Sequence, residues 1–135
     1  MNDEILSRYG YLVVDDDDFS CEVVSSVLGL LGCTRVQTAT EPQAALNLAR
    51  QHRPDFVLLD IYMPEADGWS MLEQMRRIAP QAAVVMVTGL GMQADFLKSM
   101  DQQADGFCIK PVSAEVMRKT LLGARQRRQS HAALR

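Results

Sequence analysis

The chain has 135 residues, of which 47% are hydrophobic and 23% charged, with a formal net charge of -3 and a pI near 5.3; this suits one globular domain with a sizeable core and leaves no room for two catalytic domains. The acidic balance excludes a bulk basic field for nucleic acid, no apolar run approaches the ~18 residues needed to cross a bilayer, and Asp3 and Glu4 stand where a signal peptide would be basic. The expectation is a cytoplasmic protein with neither membrane nor nucleic acid as a direct partner, whose dispersed Cys21, Cys33 and Cys108 are small core residues rather than disulfide or zinc ligands.

Residues 1–10 are polar and unpatterned and read as a lead-in. Residues 11–14 form a short apolar run that ends in Asp15, Asp16, Asp17 and Asp18; the last two are placed to cap a helix, and the first two lie too early for that. Val23, Val24, Val27, Leu28, Leu30 and Leu31 recur at helical spacing, and Gly32 stands where a left-handed residue would end the helix. A strand over 35–39 follows. Thr40 is expected to cap the second helix, with Pro42 in its first turn and Gln43 closing a capping box, and Ala44, Ala45, Leu46, Leu48 and Ala49 continue it toward Pro54.

Residues 56–59 are four consecutive apolar residues bounded by Pro54 and Pro64, which suits a strand buried on both faces of a parallel sheet and ending in Asp60. A loop with Pro64 and Gly68 leads to Trp69, Met71, Leu72, Met75 and Ile78, a third helix stopped by Pro80, with Trp69 packing it to the sheet. A fourth strand over 83–87 ends in Thr88 and Gly89. A weaker helix over 93–101 precedes a fifth strand, 106–109, which ends in Lys110 and Pro111. Ser113 then caps a helix with a buried stripe of Val116, Met117, Thr120, Leu121 and Leu122. The basic stretch 126–135 continues that helix or begins a connector. His52 and His131 are isolated, and Arg118, Lys119, Arg125, Arg127 and Arg128 read as a solvated face.

Strands alternating with helices give an α/β sandwich with a parallel sheet and right-handed crossovers. Ligands of such sheets gather outside the carboxyl ends of the strands. Those ends carry Asp15 and Asp16, Asp60, Thr88 and Lys110. Three carboxylates drawn into one cleft require a divalent cation or raised pKa values, and oxygen ligands suit Mg²⁺. A metal over Asp60, with the Thr88 hydroxyl and the Lys110 ammonium, would surround the oxygens of a phosphoryl group on the Asp60 carboxylate.

The run 12–17, residues 58–64 with Gly68, Val87-Thr88-Gly89 and Ile109-Lys110-Pro111 together resemble the receiver domain of two-component response regulators. The resemblance covers residues 11–125. It implies a doubly wound five-stranded sheet, order 2-1-3-4-5, with five helices. It further implies Asp60 as phosphoacceptor, carried as an aspartyl phosphate, and Asp16 as direct Mg²⁺ ligand, with Mn²⁺ able to replace Mg²⁺. Asp15 would act through water, and the Tyr62 carbonyl would be a further ligand. Thr88 and Lys110 would hold the phosphoryl oxygens, and Phe107 would respond to Thr88 as an aromatic switch. Gly89 departs from the Ala common there, and Tyr62 and Leu90 occupy the positions flanking the attacking water. The implied partners are a sensor histidine kinase or histidine phosphotransfer protein, and a downstream protein or output domain outside this chain. A dimer would form through the face of helix 4, strand 5 and helix 5. Activity would be limited to self-phosphorylation and slow autodephosphorylation. Two other readings stand beside this one: a phosphorylation-independent scaffold, and an aspartyl-nucleophile phosphohydrolase. The latter usually has an acid two residues after the nucleophile, where this chain has Tyr62.

Overall fold

The computed structural model describes residues 3–64, 66–89 and 93–133. Its main sheet comprises β1 (Gly10–Val14), β2 (Arg35–Ala39), β3 (Phe56–Asp60), β4 (Ala83–Thr88) and β5 (Gly106–Ile109). Five helices alternate with them: α1 (Asp18–Leu30), α2 (Pro42–His52), α3 (Gly68–Ile78), α4 (Gln93–Asp101) and α5 (Ala114–Ala133). All four pairings are parallel and, counting sheet strands alone, the order is 2-1-3-4-5. This is the doubly wound architecture expected from the sequence.

Period-two alternation sends successive residues of each inner strand to opposite faces. On one face Tyr11, Val13, Phe56, Leu58, Val85 and Val87 pack with Val24 and Leu28 of α1 and Met117 and Leu121 of α5. On the other, Leu12, Val14, Val57, Leu59, Val84 and Met86 pack with Ala45 and Ala49 of α2 and Met71, Leu72 and Met75 of α3. Each large side chain removed from water contributes roughly 1.5–3 kcal/mol, so the two cores hold the inner strands, and with them their carboxyl ends, in fixed register. The Tyr11 ring stacks on Phe56 at 5.0 Å, which ties β1 to β3. Cys21, Cys33 and Cys108 are free thiols buried in this packing, and burial pushes the Cys108 thiol up to about 12.

Several local expectations hold in detail. Asp17 is the N-cap of α1 and accepts from the Phe19 amide, and Gly32 has φ 86 beyond the helix end. Ser113 Oγ accepts from the Val116 amide at 3.2 Å. Others do not hold. The N-cap of α2 is Glu41 rather than Thr40, no side chain caps it, and Gln43 donates to Asn47 one turn on instead of closing a box. Pro42 at the start of the helix supplies a preset φ and lacks the N–H that a cap would have to satisfy. Val23, Leu30 and Val116 face solvent, because the stripes of α1 and α5 are narrower than their apolar content suggests.

Both ends of the chain are more structured than their composition implies. A 3₁₀ turn at Leu6–Arg8 buries Leu6 completely, the Leu6 carbonyl accepts from the Tyr11 hydroxyl at 2.6 Å, and Asp3 pairs with Arg118 of α5 at 3.1 Å. At the other end α5 continues through the basic stretch to Ala133. Arg127 there donates to the Asp105 carbonyl at 3.0 Å, and Arg128 is buried 4.0 Å from the Asp105 carboxylate. No helix among the described residues is long and apolar enough to cross a membrane.

Candidate functional site

Parallel register delivers the sequence-selected residues to one edge of the sheet. Val14 lies beside Leu59, Asp60 beside Val87, and Thr88 beside Ile109, so the residues that follow β1, β3, β4 and β5 meet. Backbone bonds fix this edge: the Asp15 amide donates to the Ala39 carbonyl at 3.1 Å, Ile61 to Val87 at 3.2 Å, and Lys110 to Thr88 at 2.8 Å.

Asp15, Asp16 and Asp60 each present a carboxylate oxygen, and the three lie within 4.8 Å of one another. Asp15 and Asp60 are buried and Asp16 is exposed. Lys110 Nζ lies 2.5 Å from Asp15 Oδ2, and Asp15 Oδ1 accepts from the Asp17 amide at 3.0 Å. Both Asp15 oxygens therefore already have donors, so Asp16 and Asp60 are the carboxylates better placed for direct coordination of a cation. A set of hard oxygen donors with one member open to water suits a Mg²⁺ ion that retains part of its hydration. Burial, together with the charges of Asp15 and Asp16, raises Asp60 to about 6 despite the opposing Lys110 charge and the Tyr62 amide. Burial alone would lower Lys110, but its bond to Asp15 and the charges of Asp60, Asp15 and Asp16 outweigh that and hold it above its ordinary value. Thr88 is completely buried at the end of β4.

After Asp60 the chain makes a small hairpin, Tyr62–Met63 pairing antiparallel with Ala66–Asp67. Asp67 caps α3 by accepting from the Ser70 amide at 2.7 Å, which sets Gly68 against the acceptor strand. A Cβ on Gly68 would stand 2.6 Å from the Asp60 carbonyl oxygen and 2.7 Å from Ile61 Cα, so only glycine permits this approach. The Tyr62 amide donates to Asp60 Oδ1 at 3.4 Å, and its half-exposed side chain donates from the phenol to Asp95 Oδ1 at 2.7 Å.

Phe107 is half-buried on β5, packed against the α2–α3 core and edge-on to Phe96 of α4 at 5.6 Å. Trp69 packs against the same core, and Lys98 of α4 lies over its ring at 5.1 Å. Leu90 lies outside the described residues. The sequence reading missed Asp95 and Asp105. Asp95 looked like a polar residue of a weak helix; Asp105, just before β5, is fully buried, bound to Arg76 at 2.8 Å and to the Val84 amide at 2.8 Å. Only Ala104 before it and the apolar run Phe107-Cys108-Ile109 after it hinted at burial of Asp105.

Known proteins place this arrangement. The chain is 32% identical to the chemotaxis protein CheY of Bacillus subtilis over 114 residues, covering 82% of this chain and 95% of that one. It is 34% identical to the DNA-binding dual master transcriptional regulator RpaA of Synechocystis sp. over 108 residues, covering 78% of this chain and 44% of the relative. The solved structure of Vibrio cholerae chemotaxis protein CheY4 superposes with a TM-score of 0.75 at 27% identity, covering 84% of this chain and 95% of that one. Against the transcriptional regulators it matches, the chain spans less than half of their length. The family model for the response regulator receiver domain matches residues 11–122, and with the doubly wound sheet and its acidic edge the chain belongs to that family.

Proposed function

We propose that this receiver accepts a phosphoryl group on Asp60 from a phosphohistidine of a sensor histidine kinase or histidine phosphotransfer protein, and that the modified domain alters its binding to a downstream partner or output domain in the cytoplasm. The observation that carries this reading is the convergence of Asp15, Asp16 and Asp60 within 4.8 Å, with Lys110 alongside. An Asp60 carboxylate oxygen would attack phosphorus as the P–N bond breaks and its electron pair returns to the imidazole nitrogen. No general base is needed when the nucleophile is ionised, so positioning and charge neutralisation supply the rate. Mg²⁺, or Mn²⁺ in its place, would be held by Asp16, Asp60 and the Tyr62 carbonyl, with Asp15 acting through water, and would neutralise charge on the transferred group. Lys110 and the Thr88 hydroxyl would take the remaining phosphoryl oxygens, with Phe107 following Thr88.

Two surfaces support the partner reading. Exposed Phe19 and Val23 border an apolar groove of about 300 Å³ that runs to Lys110, Pro111 and Val112, and a donor docked there would reach the acidic edge at Lys110. Exposed Phe96, Leu97 and Met100 on α4, Ile109 on β5 and Val116 on α5 give an apolar face for a readout partner or a second copy. Incubation with acetyl phosphate and Mg²⁺ should give an acid-, alkali- and hydroxylamine-labile acyl phosphate, detected by intact mass and absent in Asp60→Asn. A wild-type chain that stays unmodified by acetyl phosphate and by histidine kinases, or an Asp60→Asn chain that is still modified, would overturn this reading.

A further inference from the structure

We infer that the hydrogen bond between Tyr62 and Asp95 is a latch that fastens α4 to the acceptor loop while Asp60 is unmodified, that phosphorylation opens it, and that Asp95 is the positioning residue on which it closes. The inference rests on the proposed role of Asp60.

Asp95 is a carboxylate 7% exposed in the first turn of α4. The Tyr62 phenol bonds its Oδ1 at 2.7 Å, while its Oδ2 has no hydrogen-bond partner. A buried carboxylate needs donors, so the phenol is what makes this placement of α4 tolerable. Beyond Asp95, α4 is anchored by buried Ser99, by the edge contact of Phe96 with Phe107 and by Lys98 over Trp69, while Phe96, Leu97 and Met100 remain substantially exposed. Tyr62 is also in touch with the acceptor: its amide donates to Asp60 Oδ1 at 3.4 Å, a long bond that a change at that oxygen redirects easily. One residue thus contacts the Asp60 carboxylate through its backbone and, 33 residues further along the chain from itself, α4 through its side chain.

When Asp60 carries a phosphoryl group, one carboxylate oxygen is bonded to phosphorus in the acyl phosphate and the other becomes a crowded carbonyl, so the Tyr62 amide loses its present acceptor and the Tyr62 backbone shifts. A phenol at the end of a moved backbone loses Asp95. The carboxylate, without a donor, then favours arrangements of α4 that expose it to water, which changes the face formed by Phe96, Leu97 and Met100. The coupling is local, with a nameable two-state element.

The test is hydrogen exchange of α4 peptides in the full chain, comparing wild type with Tyr62→Phe, each before and after phosphorylation by acetyl phosphate and Mg²⁺, with modification followed by intact mass. Tyr62→Phe keeps the ring of a half-exposed side chain and removes only the donor. Before phosphorylation, α4 of the variant should exchange roughly tenfold faster than wild type. Phosphorylation should bring wild-type α4 to the variant's rate and change the variant little. Equal α4 exchange in the two unmodified proteins would overturn the latch, as would wild-type α4 that stays protected after confirmed modification of Asp60. A wild-type chain that never takes the phosphoryl group would instead defeat the reading of Asp60, and the trigger with it, while the comparison of unmodified proteins would still decide whether the Tyr62–Asp95 bond holds α4.

Discussion

Lys110 Nζ lies 2.5 Å from Asp15 Oδ2, although 95 residues separate the two in sequence. Of three clustered carboxylates, one thus has its counter-charge built into the fold, supplied by the strand farthest from β1 on that side of the sheet. The pair is asymmetric: the Asp15 side chain is 5% exposed and that of Lys110 23%.

That asymmetry sets the expected cost of removing the lysine. Breaking a fully buried pair costs roughly 3–5 kcal/mol, and the partial exposure of Lys110 reduces this, so Lys110→Gln should destabilise the metal-free protein by about 2 kcal/mol. The variant should also bind Mg²⁺ more tightly than wild type, since the cation then replaces a missing positive charge. Urea unfolding in chelator and again across a Mg²⁺ titration measures both. A variant as stable as wild type in chelator would mean the lysine compensates nothing in the free domain.

Gly68→Ala should be among the most damaging single-methyl additions to this chain. The added Cβ meets backbone at 2.6 Å and 2.7 Å, so no side-chain rotation relieves it and either α3 or the residues after Asp60 must move. Overpacking of this kind costs roughly 1–3 kcal/mol, and backbone neighbours put the expectation near the upper end. Because the displaced atoms belong to Asp60 and Ile61, phosphorylation by acetyl phosphate should slow as well. Gly89→Ala is the matched control, since a Cβ there meets nothing within 4 Å and should leave stability unchanged.

The alternation of strands and helices was legible in the sequence because the signals for it are local: short apolar runs, amphipathic spacing between them, and Asp, Thr or Lys at four of the five strand ends; the strand order followed only from the family resemblance. The residues at the acidic edge were legible for the same reason, since parallel strands must bring those ends together. Side-chain partnerships between distant elements were not legible. Nothing about Asp95 in sequence distinguishes it from a solvated helix residue, because its hydrogen-bond donor, the Tyr62 phenol, reaches it from a hairpin distant in sequence. Thr40 failed as a cap because Pro42 shifted the helix start by one residue, and residues 3–9 looked like a lead-in because the surfaces that bury Leu6 lie elsewhere in the chain.

Asp105 is the other partnership of this kind, and its removal should be felt far from the acidic edge. Its fully buried carboxylate accepts from Arg76 of α3 and from the Val84 amide, and buried Arg128 of α5 stands 4.0 Å away. Asp105→Ala takes the shared negative charge from between two arginines and should cost roughly 3–5 kcal/mol. Asp105→Asn keeps an acceptor for Val84 and should cost less. Thermal melts of the two variants, with hydrogen exchange of the last two turns of α5, would separate loss of the charge from loss of the hydrogen bond. Equal melting temperatures for the two would show that the acceptor kept by Asn is immaterial, whereas an Asp105→Asn chain as stable as wild type would show that the charge is.

Asp60 gives the chain a pH dependence whose sign is opposite to that of an ordinary salt-bridged aspartate. Burial first, then the Asp15 and Asp16 charges, hold its folded pKa at about 6, above the 3.8 of an unperturbed aspartate. Between those values the native state binds a proton that the unfolded state has already lost, so stability from this group is fully present below about pH 3.8 and is lost as pH rises through about 6. The full linkage value is trimmed by the water on the open side of the cleft, which leaves a loss of ~2 kcal/mol by neutral pH. In chelator, Asp60→Asn should remove this fall and be more stable than wild type at pH 7, with the two converging toward pH 4. Asp16→Asn should raise the metal-free melting temperature less, since Asp16 is exposed, and should lose most of the stabilisation that Mg²⁺ gives to wild type. Denaturant midpoints from pH 4 to pH 8 decide it: a wild-type curve that runs parallel to Asp60→Asn across that range would mean that Asp60 ionises as freely as an exposed carboxylate, and that the three acids are farther apart in solution than 4.8 Å.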